Sequence, residues 1–335
     1  MNNLSDHTKI AEGLFDFNIS AFDAKALEIF RFQAMYNPVY RQYVELLGVD
    51  PGSITRIVDI PFLPVGFFKT HRVVCGDFEP QAVFESSGTT GSVNSRHYVK
   101  DTAIYRESFL NGFRKFYGDP AGWCIIGLLP SYLERQHSSL VFMVDDLVKS
   151  SRSVESGFYL YEFDKLHQTL TQLEKQKQKT LLIGVTFALL DFAERFPMTL
   201  QHTIVMETGG MKGRREEMTR QQVHDLLTSG LGIKQVHSEY GMTELLSQGY
   251  SQGEGIFSTS DTMKILVREE DDPLLIHDAG DQAQRGIINV IDLANIFSCS
   301  FIATEDAGKL YPDGSFEVTG RVDNSDIRGC TLMVV

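Results

Sequence analysis

Cysteine is scarce. The 335 residues hold four, Cys75, Cys124, Cys299 and Cys330, and no two of them form a C-x-x-C pair. Their spacing fits no zinc pattern, and so few thiols do not make a disulfide framework. A reduced, cytoplasmic enzyme is the simplest expectation. Positive charge is also in short supply. Lys and Arg total 31 against 44 Asp and Glu, a formal net charge of −13. Nucleic-acid binding leans on basic surface, so that class of partner is disfavoured. Docking on anionic lipid is disfavoured for the same reason. No apolar run approaches the length of a membrane span. The opening Met1-Asn-Asn-Leu-Ser-Asp-His7 lacks the basic and then apolar pattern of a signal peptide. The two commonest nucleotide signatures, G-x-x-x-x-G-K-[ST] and G-x-G-x-x-G, are both missing.

What remains is an ordinary globular composition with enough chain for a large core, in one big domain or two. Residues 1–20 look weakly ordered. Asp23 to Leu47 has apolar residues near helical spacing, with Pro38 expected to kink or split the helix. The aromatic cluster between Phe30 and Tyr43 reads as core, with an acyl-chain wall as the alternative. Asp101 suits an N-cap for a helix ending near Gly118. Strands are expected at Trp123–Leu129, Thr180–Val185, His202–Met206 and Ile233–Val236. Helices are expected at Ser138–Lys149, from a cap at Asp164 to about Lys177, at Thr186–Phe196, and from after Met206 to about Leu227. This alternation predicts a largely parallel sheet with packed helices. After about residue 250 the pattern changes to short strands at Met263–Val267, Ile287–Ile291, Cys299–Ala303 and Phe316–Thr319. They predict a smaller, mostly antiparallel sheet. The expected division is an α/β part, residues 1–250, and a smaller β-rich part, residues 251–335.

Three segments carry candidate chemistry. Ser86-Ser87-Gly88-Thr89-Thr90-Gly91-Ser92 follows a short apolar run. Its glycines permit close backbone approach, and its N–H and hydroxyl groups suit an anion. His237-Ser-Glu-Tyr-Gly-Met-Thr-Glu244 offers Tyr240 for stacking on a base, Thr243 as a phosphate donor and Glu244 as an oxygen ligand for Mg²⁺. Thr304-Glu-Asp306 and Gly320-Arg321 flank an Asp313-Gly314 hairpin signal. There Asp306 suits a ribose diol and Arg321 a phosphate.

Taken together and in this order, the segments resemble the adenylate-forming superfamily of acyl and aryl ligases over about residues 60 to 330. Ser86 to Ser92 is similar to its phosphate loop, Tyr240-Gly-Met-Thr-Glu244 to its aromatic-G-x-T-E motif, and Thr304-Glu-Asp306 to its S/T-G-D motif with Glu305 in place of glycine. Gly320-Arg321 with Asp323 is similar to its hinge. Gly209-Gly210 stands where that superfamily contacts adenine. Within it, Leu63-Pro-Val-Gly-Phe-Phe-Lys69, Leu129-Pro-Ser-Tyr-Leu-Glu-Arg135, Val144-Asp-Asp146 and Asp326-Ile-Arg-Gly-Cys330 resemble the bacterial acyl-protein synthetase (LuxE-like) group.

The resemblance implies the superfamily's large N-terminal domain, ATP and Mg²⁺ as cofactors, and a fatty or other carboxylic acid as substrate. It implies an acyl-adenylate whose acyl group moves to Cys330 and then to a reductase or other acyl-acceptor protein. It places Ser87 to Gly91 on the phosphates, Thr243 on the α-phosphate, Glu244 on Mg²⁺, Tyr240 on adenine, Asp306 on ribose and Arg321 on ribose or phosphate. Two departures stand out. The lysine usual after the last loop glycine is absent, so either Lys69, Lys100 or Arg96 supplies the charge, or another chain does, or adenylation is slow. The sequence stops twelve residues after Asp323, so the family's mobile C-terminal domain is not expected. The alternatives are a phenylacetate-type CoA ligase and a catalytically weak nucleotide-binding subunit.

Overall fold

Asn37-Pro38 divides the first long apolar segment. Helix α1 (Phe22–Tyr36) ends there and α2 (Pro38–Leu46) begins. Proline has no N–H to lose at the first helical position. Asn37 caps the new helix, its Oδ1 accepting from the Val39 and Tyr40 amides at 3.1 Å each. The same side chain donates to the Ser298 carbonyl at 2.9 Å. One helical turn earlier, the Gln33 amide donates to the Asn295 and Ile296 carbonyls at 3.0 Å, and Gln33 Oε1 accepts from the Ser300 amide at 2.9 Å. Two buried amides thus bolt the N-terminal helices to the loop at 295–300.

The computed structural model describes residues 10–86, 93–129, 137–209 and 218–322. After α2 come β1 (Leu63–Pro64), the one-turn α3 (Phe67–Thr70) and a hairpin of β2 (Ala82–Glu85) with β3 (Arg96–Val99). An alternating stretch follows. It comprises α4 (Thr102–Tyr117), β4 (Cys124–Leu128), α5 (Ser139–Ser150), β5 (Gly157–Tyr159), α6 (Phe163–Lys175), β6 (Thr180–Val185), α7 (Thr186–Arg195), β7 (Thr203–Thr208), α8 (Arg220–Leu231) and β8 (His237–Tyr240). The chain continues through β9 (Gly249–Ser251), β10 (Ile256–Thr259), β11 (Met263–Arg268), β12 (Ile276–His277), β13 (Gln284–Asp292), β14 (Phe301–Leu310) and β15 (Phe316–Arg321). Among the described residues, no helix is long and apolar enough to cross a membrane.

The expected mixed α/β architecture is present. Strands β5, β4, β6, β7 and β8 run parallel in that spatial order. From β8 onward the neighbours are antiparallel: β9, β10, β15, β14, β13, β11 and β12. The antiparallel half is therefore hydrogen-bonded into the same sheet as the parallel half, and the separate small sheet is the β2–β3 hairpin. Two hydrophobic cores lie along this sheet. One gathers α4 to β9. The other joins residues 10–75 to the strands after residue 240. The cores thus divide the chain differently from a cut at residue 250, because the N-terminal helices pack on the C-terminal strands.

Several local expectations shift. Residues 1–9 lie outside the described residues, but Ile10 and Leu14 are buried in the second core, so the segment after them is packed. Asp164 lies in the first turn of α6, with Glu162 at the cap position. The helix after β7 ends at Leu231, where Gly232 adopts φ +59°. The strand expected at 233–236 is instead at 237–240, since only the latter pairs with both β7 and β9. Strands β13 and β14 run longer than expected because Gly286 and Gly308 face each other within them. A Cβ on Gly286 would overlap the Arg268 carbonyl, and one on Gly308 would meet the Glu317 carbonyl. Glycine here permits close strand approach, not a turn.

Asn37→Ala removes a helix cap, worth about 0.5–2 kcal/mol, and leaves the buried Ser298 carbonyl with the weak Cys75 thiol donor at 3.5 Å, at about 1–3 kcal/mol. The expected loss is about 2–4 kcal/mol in urea unfolding. A loss below about 0.5 kcal/mol would mean that the bolt to loop 295–300 is idle.

Candidate functional site

The sheet changes from parallel to antiparallel at β8, which pairs parallel with β7 and antiparallel with β9. In open α/β sheets, ligands bind beyond the carboxyl ends of strands near such a switch. Here β7 leaves the sheet through Gly209, at φ +70°, and β8 leaves through Gly241. Two cavities open at these strand ends and share Gly209, Glu239, Gly241 and Met242 as a common wall. The larger, about 470 Å³, is lined by Thr186, Glu207, Arg220, Phe257, Asp306 and Arg321 among others. The smaller, about 150 Å³, is lined by Tyr105, Ser139, Met143, Thr208, Thr243 and Gln248 among others.

The turn after β8 carries Thr243 and Glu244 and is held from three sides. His97 on β3 lies 2.9 Å from the Thr243 carbonyl through Nδ1. A carbonyl only accepts, so Nδ1 carries the proton. Burial pushes His97 down to about 4, so the ring is neutral. Asn295 donates to the Glu244 carbonyl at 2.7 Å. Asp292, at the end of β13, accepts from the Leu246 and Ser247 amides at 2.6 and 3.0 Å and from the Ser247 hydroxyl at 2.6 Å. It also accepts from the Ala294 amide at 3.1 Å. Burial raises Asp292 to about 6, against these four donors.

Glu244 is 5 % exposed. Burial raises its carboxyl, while a hydrogen bond from Ser95 and the charges of Arg321 and Lys69 act to lower it. Other nearby cations are engaged elsewhere: Arg72 donates to the Phe78 carbonyl at 2.7 Å. Lys100 sits 4.1 Å from the centre of the Phe297 ring, and Arg96 pairs with Glu85 at 3.2 Å. Among the described residues, Lys69 and Arg321 are the cations whose charge acts on Glu244.

In the larger cavity, Asp306 and Arg321 are directly opposite on β14 and β15, with Nε 3.9 Å from Oδ1. The Tyr240 hydroxyl donates to Asp306 Oδ2 at 2.9 Å. The Tyr240 ring stands edge-on to Phe316 and Phe257. The Asp313-Gly314 hairpin joins the two strands, with Gly314 at φ +82° and the Tyr311 amide 2.8 Å from the Ser315 carbonyl. Ser86 stands at the foot of the glycine-rich loop. Its Oγ accepts from the Ser95 amide at 2.9 Å and its own amide donates to the Ser95 carbonyl at 3.1 Å. The loop's two ends are thereby clasped beside Glu244. Ser87, Gly88, Thr89, Thr90, Gly91, Gly210 and Cys330 lie outside the described residues. Cys75, Cys124 and Cys299 are all buried thiols.

The sequence reading passed over Ser95, His97, Glu239, Gln248, Asp292 and Asn295. Asp292 did leave a signal, an acid closing the apolar run Ile287–Ile291. Glu239 lies in the common wall of both cavities. Its Oε2 accepts from the Thr208 hydroxyl at 2.6 Å. Burial, with Glu207 nearby, raises it to about 7. Glu207 in turn accepts from Thr186 at 2.9 Å.

No protein-family model matches the sequence, and no curated protein matches it. The likeness is to solved structures. An open conformation of 2-hydroxyisobutyryl-CoA ligase, in complex with 2-HIB-AMP and CoA, superposes with a TM-score of 0.61 at 13% identity. The match covers 90% of this chain and 70% of that one. O-succinylbenzoate coenzyme A synthetase from Bacillus subtilis, in complex with ATP and magnesium ion, matches with a TM-score of 0.51 at 14% identity. There the match covers 74% of this chain and 51% of the synthetase. This chain shares its fold with the matched parts of these two ligases. At these identities the likeness extends to the fold.

Glu239 gives this site a pH signature. Its carboxyl is raised from 4.5 to about 7 in the folded protein. The folded state therefore holds the proton more tightly than the unfolded chain. The associated stability is complete below about pH 4.5 and is lost as pH rises through about 7. Glu239→Gln keeps an oxygen for Thr208 and removes the buried charge. Each pH interval of one between the unfolded and folded titration points carries roughly 1.4 kcal/mol. At pH 8 the variant should therefore be more stable than the parent by up to about 3 kcal/mol. At pH 4.5 the gain should vanish. Thermal melts across this range test it, and a gain that does not depend on pH would refute the assignment.

Proposed function

We propose that the chain uses ATP to activate a carboxylic acid as its acyl-adenylate and then passes the acyl group to a thiol. The observation that carries this reading is the pair of contiguous cavities meeting at the Gly241–Thr243 turn. They lie at the strand ends of a fold shared with ligases solved with ATP and magnesium ion or with 2-HIB-AMP and CoA. The larger cavity suits a nucleotide and the smaller one an acid.

In this reading Asp306 grips the ribose diol, held in place by the Tyr240 hydroxyl. Arg321 pairs with ribose or phosphate from the opposite strand. Tyr240, backed by Phe257, supplies the aromatic wall of the base site together with Gly209 and Gly210. Ser86 to Gly91 cradle the phosphates, and Thr243 donates to the α-phosphate. The acid's carboxylate oxygen bonds to the α-phosphorus, and the bond from that phosphorus to pyrophosphate breaks. Donors fixed before the reaction favour the charge that builds there.

Magnesium fits the donor set. Among the described residues, no group of three or more His, Cys, Asp or Glu side chains gathers to hold a metal alone. Mg²⁺ needs only one or two carboxylates when phosphates and water complete its shell. Glu244 is a hard oxygen donor whose buried carboxylate has no close ion pair among the described residues. The metal, when bound, would neutralise charge on the phosphates.

The finer form follows the acyl-protein synthetase resemblance: a fatty acid, Cys330 as first acceptor, and a reductase or other acyl-acceptor protein as partner. The CoA-ligase form shares every step before the thiol.

Acid-dependent ATP–pyrophosphate exchange tests the first half-reaction. Asp306→Asn should weaken nucleotide affinity roughly 10- to 100-fold, the loss of a hydrogen bond to a charged group. Glu244→Gln should lower exchange and shift its Mg²⁺ dependence to higher concentration. Absence of exchange across a broad acid panel, with no ATP binding by calorimetry, would overturn the reading. For the second half-reaction, a hydroxylamine-labile label on the protein that disappears in Cys330→Ser supports the acyl-protein form. Transfer to added CoA without self-labelling supports the ligase form.

A further inference from the structure

We propose that His97 is a positioning residue for Glu244: by holding the Thr243 carbonyl it fixes the Thr243–Glu244 peptide plane, and with Ser95 it sets the pose in which the Glu244 carboxylate receives Mg²⁺ beside the nucleotide. The inference rests on the adenylation reading and names the residues outside the turn that govern its metal affinity.

Strands β2 and β3 form a sheet of their own. Side chains therefore carry the link from β3 to the turn after β8. His97 lies opposite Phe84 on β2, with the Phe68 ring edge-on at 5.8 Å. It is buried, and its Nδ1–H donates to the Thr243 carbonyl at 2.9 Å. Ser95, two residues earlier, is buried as well. Its backbone is pinned on both sides, the amide donating to Ser86 Oγ at 2.9 Å and the carbonyl accepting from the Ser86 amide at 3.1 Å. Its hydroxyl donates to the Glu244 carboxylate. Residues two apart on an extended segment face the same way, so the two side chains reach the turn together.

The peptide plane carries the effect of His97 to the carboxylate. In a trans peptide the carbonyl points opposite to the N–H of the next residue. Holding the Thr243 carbonyl on His97 therefore fixes the direction of the Glu244 N–H. That N–H donates to Glu244's own carboxylate. In the next plane the Glu244 carbonyl is held by Asn295 at 2.7 Å. Two successive peptide planes are thus fixed from outside the turn. A flip of the Thr243–Glu244 peptide would turn a carbonyl toward the carboxylate and set the Glu244 N–H against the N–H of His97. Acceptor would face acceptor and donor would face donor, both out of water, which disfavours the flip.

The donors on the carboxylate, a hydroxyl and an amide, are neutral. They orient it without cancelling its charge, as a lysine or arginine in direct contact would. An ionised carboxylate offers about four lone-pair sites, so these two donors leave oxygen capacity for a hard cation.

The test is calorimetry on the full chain with a non-hydrolysable ATP analogue, with and without Mg²⁺. The readout is the factor by which Mg²⁺ tightens binding of the analogue. In Ser95→Ala and His97→Leu that factor should fall roughly tenfold, the scale of one hydrogen bond to a charged group, while affinity without Mg²⁺ changes little. His97→Asn, which presents an N–H where Nδ1 stood, should keep most of the factor. Thermal melts establish that each variant is folded, and Ser95→Ala carries the test if His97→Leu does not fold. An equal loss of affinity with and without Mg²⁺ marks a merely structural role and overturns the inference. So does an unchanged factor in the variants, or His97→Asn behaving as His97→Leu does. A parent chain that binds the analogue with no help from Mg²⁺ also overturns it and leaves nucleotide binding standing. A parent chain that binds no nucleotide overturns the adenylation reading as well.

Discussion

One carboxylate with no exposure holds the site together. Asp292 accepts four hydrogen bonds, two of them from consecutive amides of the turn that carries Thr243 and Glu244. It stands at the end of a strand in the second core, and the turn it holds enters from a strand in the parallel half. A buried acid costs stability unless its oxygens are satisfied. Here both oxygens are, and removing them would orphan several buried donors at about 1–3 kcal/mol each. The Ser247 hydroxyl extends the network to Thr262 and Ser108, which ties α4 into it. The turn is thus a fixture set by groups outside its own sequence.

That dependence explains which parts of the protein were legible in its sequence. The helices around residues 102–117 and 139–150 announce themselves through Asp101 and Ser138 as caps, and β6 through an unbroken buried run. The Asp313-Gly314 hairpin brings the strands of Asp306 and Arg321 together, but counting outward from the turn would set Asp306 opposite Gly320; a register shift between Ala307 and Gly308 places it opposite Arg321 instead. Local rules fail at β8. Its residues, His237, Ser238, Glu239 and Tyr240, carry polar groups, whereas the apolar signal lies earlier, at Ile233 and Val236. Hydrogen bonding to β7 and β9 decides the strand, and its last two residues, Glu239 and Tyr240, line the cavities. Sequence rules tend to break where a site is built.

The same logic hides the supporting residues. Nothing local marks His97 or Asn295, which act through backbone carbonyls of a segment more than 50 positions away by sequence number. Gly286 and Gly308 lie mid-strand, where neighbouring carbonyls pass in the place of a Cβ. Gln33 and Asn37 are polar residues in the first long apolar segment. Both are buried, and both reach the loop that carries Asn295. Each of these residues is interpretable only once a distant partner is in place.

Gly241 shows how closely the two cavities are coupled. Its place in Tyr240-Gly-Met-Thr-Glu244 invites the reading that glycine is needed for a turn. In this chain a side chain there would collide with Glu239 Oε1. Gly241 therefore leaves room for the carboxylate that both cavities share, and the carboxylate stands between the nucleotide side and the acid side. A charge in a dividing wall acts on whatever occupies either cavity, since screening by water is weak where groups are buried. Arg321 and Asp306 in the larger cavity, and Glu239 in the wall between the two, are thus parts of one electrostatic arrangement.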